Sequence, residues 1–164
     1  MSHAPSWVFA ILAALVVIGL LQTRPRSVSR ARLLLMPMII AAVSLLAVLQ
    51  LLGPRPIALL FWLLGATVAV HRRRWLSASA EASFSASREL FLIAGSWLPL
   101  GLLMALFALR FIATGSLVRH PELVEHVFYV AAIGLGFGLI AGAFVARSLL
   151  IFGKASGPDQ TLVE

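Results

Sequence analysis

Five apolar runs are joined by short polar loops, and arginine is confined almost wholly to one set of those loops. Arg24, Arg26, Arg30 and Arg32 follow the first run, Arg72, Arg73, Arg74 and Arg88 follow the third, and Arg147 and Lys154 close the fifth. Only Arg55, Arg110 and Arg119 fall on the opposite side. Short cytoplasmic loops retain Lys and Arg, so the alternation predicts an N-terminus outside, five spans and a C-terminus inside. Composition excludes a soluble domain: 61% of the 164 residues are hydrophobic and 12% charged, against roughly 45–50% and 25% in soluble proteins.

The expected architecture is therefore an all-α membrane bundle of five transmembrane helices in one domain, at about 7–22, 33–52, 57–71, 97–114 and 124–152. The segment before the first run carries no Lys or Arg and the one after it carries four Arg. That is the reverse of a secretory signal, so this run is expected to stay as an outside-in anchor. The third run is short: 57–70 reaches only about 21 Å along a helix, against a hydrocarbon core of about 30 Å. Between spans three and four, Ser77, Ser79, Glu81, Ser83, Ser85, Ser87 and Glu89 alternate with Ala78, Ala80, Ala82, Phe84 and Ala86. This period of two predicts a small cytoplasmic β-hairpin at about 75–94. The alanines favour helix instead, so an interfacial loop or helix is the alternative. The polar tail 157–164 is expected to be disordered.

Three groups of residues are candidates for function. Gly134, Gly138 and Gly142 recur every four residues in the fifth run, and small residues at that spacing let two helix backbones approach closely in lipid. The partner is either another span of the same chain or a second copy. On the outer side stand His120, Glu122, Glu125 and His126. If Pro121 opens span five, Glu122 and His126 share a helical face at a spacing that suits two metal ligands, with His120 as a third; the plainer reading is acidic residues at a helix N-terminus. Arg110 is the charged residue inside a span, where it snorkels outward, pairs with Glu122 or Glu125, or binds an anionic ligand or ion.

The remaining features are weaker. Ser44, Gln50, Thr67 and Ser96 either line a path or bond between helices. Trp7, Trp62, Trp75 and Trp97 suit interface belts, and His71 a position beside headgroups. In the inner loops, Arg24, Arg26, Arg72, Arg73 and Arg74 are expected to meet anionic lipid headgroups, so the net charge of +7 points to the bilayer and not to nucleic acid. The absence of Cys removes disulfides and thiolate chemistry. No nucleophile stands beside a base, no second histidine lies at membrane depth for haem, and no catalytic residue or cofactor is expected.

Three stretches carry a resemblance: Gln22-Thr-Arg-Pro-Arg leading into Arg30-Ala-Arg-Leu-Leu-Leu-Met-Pro37, Gly95-Ser-Trp-Leu-Pro-Leu100 with Phe107-Ala-Leu-Arg-Phe111, and the glycine-rich last run ending at Ala146-Arg147. Together they resemble the CcdC-like small bacterial inner-membrane proteins, a domain of unknown function. That resemblance implies a multi-pass protein of the bacterial cytoplasmic membrane with a basic first inner loop, a short hairpin before the fourth span and no assigned activity. In its pattern a basic residue stands near Arg110. The function expected is a non-enzymatic scaffold or accessory protein that self-associates, as a homodimer, through the glycine face; its protein partner is left unspecified. The alternatives are a small-solute or ion transporter with a path near Arg110 and the outer cluster, and an outer-face metal-binding protein.

Overall fold

The fold, taken from a computed structural model, is described for residues 26–72, 82–85, 90–93 and 96–155, with Val17 alone before them. Among the described residues four longer helices carry it: α1 (Arg30–Leu52), α2 (Pro56–His71), α3 (Leu98–Arg119) and α4 (Val127–Ala155). A 3-10 turn, Pro121–Glu125, links α3 to α4. Strands β1 (Arg26–Ser29), β2 (Ala82–Ser85) and β3 (Leu90–Ile93) complete it.

Local chemistry explains each helix end. Gly53 adopts a φ of 74°, a left-handed conformation that costs glycine nothing, and its N–H donates to the Leu49 carbonyl at 3.0 Å. Pro54 cannot extend the helix and Pro56 opens the next one at its first position. The Arg55 Nε closes the turn by donating to the Leu52 carbonyl at 3.1 Å. At the start of α3 the Ser96 hydroxyl accepts the Leu98 N–H at 3.2 Å, and Pro99 occupies the first turn, where a missing donor is harmless.

The bundle is built on one parallel pair. Along α2, Ala58, Trp62 and Ala66 lie against Gly134, Gly138 and Gly142 of α4, in the same order. Helices α1 and α3 flank this pair, and the core is Ala47, Val48, Leu52, Ala58, Ala113, Val130, Ile133 and Phe137. In the sheet, β3 lies between β1 and β2 and is antiparallel to both, with Phe91 paired to Val28 on one side and to Phe84 on the other. Because β1 runs directly into α1 and β3 lies just before α3, the sheet brings the first and second basic loops to one end of the bundle.

The expected five spans with a β-hairpin are not what forms. Among the described residues, three helices are long and apolar enough to cross a membrane: Leu34–Leu52, Leu98–Arg119 and Val127–Gly153. The fourth, α2, has only 16 residues, about 24 Å of helix. No isolated hairpin stands between spans three and four, because β1 of the first loop pairs with β3; at four residues, Arg-Ser-Val-Ser, it is too short to betray its partner by alternation. Expected boundaries shift too: α3 continues through Gly115 to Arg119 where a loop was expected. The expected last span is broken at His126, which holds an extended conformation with φ −79° and ψ 113°. Pro37 lies inside α1, which begins at Arg30, earlier than the expected boundary at 33. The expected first span at 7–22, Arg24, Arg73, Arg74, Trp75, much of the 75–94 segment and the tail 157–164 lie outside the described residues.

Candidate functional site

The glycine face is occupied within the chain. A Cβ placed on Gly134 would lie 2.5 Å from the Ala58 carbonyl oxygen, one on Gly142 2.5 Å from that of Ala66, and one on Gly138 would meet the carbonyl of Trp62. Gly65 reciprocates, with its missing Cβ 2.5 Å from the Leu135 carbonyl oxygen. Backbone thus packs on backbone along three helical turns, the contact small residues permit in lipid. The expected homodimer seam at Gly134, Gly138 and Gly142 is therefore filled by α2 of the same chain and offers no open face to a second copy. Spacing alone could not distinguish the two partners, since the same small-residue ladder serves either.

Directly beside this seam lies a buried polar relay. Ser44, fully buried on α1, donates to the Phe137 carbonyl of α4 at 3.0 Å and accepts the Trp62 indole N–H of α2 at 3.1 Å. One hydroxyl so joins three helices. Trp62 is accordingly a linker between helices and not part of an interface belt; its indole needed a partner, and Ser44 was the sequence signal for one. Trp97, by contrast, is exposed at the entry to α3. Thr67 turns its hydroxyl back to its own helix, donating to the Leu63 carbonyl at 2.8 Å.

At the outer end, Arg110 donates from Nη2 to the Gln50 Oε1 at 3.0 Å on an exposed surface. Its expected pairing with Glu122 or Glu125 does not form. Leu109 packs beside Gly136, whereas Gln50 is two residues from the end of α1, so the Arg110 side chain reaches outward from its own level, as snorkelling requires. A second tie joins α3 to α4, the Ser116 and Tyr129 hydroxyls lying 2.6 Å apart.

The outer cluster does not assemble as metal ligands. His120 and Glu122 pair at 3.0 Å, both well exposed. Glu122 and His126 share no helical face, because Pro121 opens a 3-10 turn and His126 is extended. Among the described residues no group of three His, Cys, Asp or Glu side chains is placed to hold a metal ion. A backbone hydrogen bond at Glu122, aided by His120, holds the Glu122 carboxyl below its ordinary range. Its folded form is therefore the stronger acid, and whatever stability it contributes is present above the unfolded pKa and lost as pH falls through the folded one. NMR titration of Glu122 should show a midpoint below that of an ordinary glutamate, moving up in His120→Ala.

At the inner end, Arg72 follows α2 and is exposed, with its N–H donating to the Val68 carbonyl at 2.9 Å. The backbone of Arg26 lies in β1. Arg147 is buried on α4 instead of displayed to headgroups. Between α1, α2 and α4 opens an apolar cleft that periodicity did not reveal, since it is created by small residues on three separate helices.

A family model described as a family of unknown function (DUF6622) matches residues 1–160. The chain belongs to this family. Membership in DUF6622 supports an uncharacterised domain over the whole chain and does not support the CcdC-like resemblance, which rested on short hydrophobic stretches that many membrane helices share. Comparison with curated proteins and with solved structures gives no match. This DUF6622 chain is thus a membrane protein by the length and apolar character of α1, α3 and α4.

Proposed function

We propose that this DUF6622 chain is a non-enzymatic scaffold or accessory protein of the bacterial cytoplasmic membrane, with its N-terminus outside and its C-terminus inside. The arginine distribution supports that orientation. The observation that carries the scaffold reading is the α2–α4 seam: a helix pair in backbone contact, pinned to α1 by Ser44, makes a tightly packed bundle with an apolar core that includes Val48, Ala58, Ile133 and Phe137. A transport path along Arg110 is less well supported, because that side chain lies on the exposed face with Gln50 and not in the bundle interior. Contact between two copies would have to use a face other than Gly134, Gly138 and Gly142.

Reconstitution tests this directly. Vesicles of phosphatidylethanolamine and phosphatidylglycerol containing the full chain should hold potassium and chloride gradients as long as empty vesicles do. A leak that disappears in Arg110→Gln, with the variant still folded, would replace the scaffold by a transporter.

A further inference from the structure

The cleft between α1, α2 and α4 has a volume of about 370 Å³, within the range of about 300–1,000 Å³ typical of small-molecule sites. Ala41, Ala66 and Gly142 bring small residues from three helices to one place, and the space they leave is bounded by Trp62, Thr67 and His71. Trp62 is fixed at one end by its bond to Ser44, eight residues short of the outer end of α1. His71, exposed in the last turn of α2, stands at the other end. The two are nine residues apart on one helix, a separation of about 13 Å. That is close to the hydrocarbon depth of a single leaflet, half of about 30 Å.

The chemistry changes along this length. The deep part is lined mostly by apolar side chains such as Ala41, Ala66 and Val145, while His71 stands at the mouth and the exposed Arg72 follows it directly in the chain. It lies at the arginine-rich end of the bundle, where anionic headgroups concentrate. Spread over about 13 Å, the volume makes a slot narrower than a helix about 10 Å across. An extended hydrocarbon chain suits it and a polypeptide helix does not. We propose that the cleft is a binding site for an anionic phospholipid of the arginine-rich leaflet, with one acyl chain lying between Trp62 and His71 and the phosphate held at His71 and Arg72. The acyl chain fills space that would otherwise leave the lining without van der Waals partners. A phosphate accepts a charge-assisted bond from an arginine and a hydrogen bond from a histidine ring N–H. This inference stands on the cleft alone and is independent of the scaffold reading.

Native mass spectrometry of the full chain in detergent, with phosphatidylglycerol or phosphatidylcholine added, is the test. The wild type should retain one phosphatidylglycerol with an affinity at least about fivefold above that for phosphatidylcholine, the factor one basic side chain supplies at an anionic surface. Ala41→Leu, which fills the slot, should remove both adducts while circular dichroism stays unchanged. The double variant His71→Glu with Arg72→Glu should keep an adduct and lose the preference for phosphatidylglycerol. Should Ala41→Leu fail to fold, Thr67→Leu on the exposed side of α2 places similar bulk in the slot and is read the same way. Equal retention of the two lipids by the wild type, absence of any adduct, or an undiminished phosphatidylglycerol adduct in a folded slot-filling variant would overturn the assignment.

Discussion

Gly138→Leu is expected to abolish the folded protein and not merely to dissociate an assembly. Its Cβ would run into the Trp62 carbonyl, and a carbonyl in mid-helix cannot rotate aside as a side chain can. Overpacking a tight site costs about 1–3 kcal/mol when side chains yield; here α2 itself must move away, with loss of the Gly134 and Gly142 contacts on the same face. The measurement is the recovery of monodisperse protein in mild detergent and its thermal midpoint. Gly115→Ala is the matched control, since nothing lies within 4 Å of its missing Cβ. In a helix interior that change should be neutral or stabilise by up to about 1 kcal/mol. A Gly138→Leu protein as stable as the wild type would mean that α2 does not cover the glycine face, and would reopen it to a second copy.

Ser44→Ala should destabilise by about 1 kcal/mol, the lower end of the cost of leaving a donor without its acceptor, because the donor is only half-buried. The donor in question is the Trp62 indole N–H, which bonds Ser44 at 3.1 Å. The Phe137 carbonyl suffers less, because a carbonyl oxygen has a second lone pair available to the helix ladder. Trp62→Phe removes the donor together with part of the packing, and in its presence Ser44→Ala should cost less than it does alone. A double-mutant cycle on thermal midpoints isolates that coupling. Additive losses would show that Ser44 acts through Phe137 alone.

Much of this protein was legible before its fold. Apolar runs at 33–52 and 97–114 mark where α1 and α3 lie, the Gly53-Pro54-Arg55-Pro56 turn joins α1 to α2, and Ser96 with Pro99 marks the entry to α3. These signals are local: a proline without its donor, a glycine in the left-handed region and a serine at a helix entry act on neighbours within one turn. The β1–β3 pairing was not legible, because it joins segments more than sixty residues apart through four-residue strands. Nor was the break at His126, where a 3-10 turn from Pro121 competes with helix over only a few residues and the packing of Val124 and Tyr129 on the core decides between them.

Composition and hydropathy alone were sufficient to make this a membrane protein, since burying so apolar a surface has no other solution at this size. They were also sufficient to name Gly134, Gly138 and Gly142 as a packing face and Arg110 as a cation that reaches for polar company. Which partner each of them meets was decided by tertiary structure. A small-residue ladder accepts any helix that approaches it, and α2 occupies it because its own Ala58, Ala66 and Gly65 are small enough to complete the contact. Arg110 takes Gln50 in place of a glutamate because α1 ends at its reach, while Glu122 is turned toward His120. Distance in the fold, which residue type and spacing do not encode, made those choices.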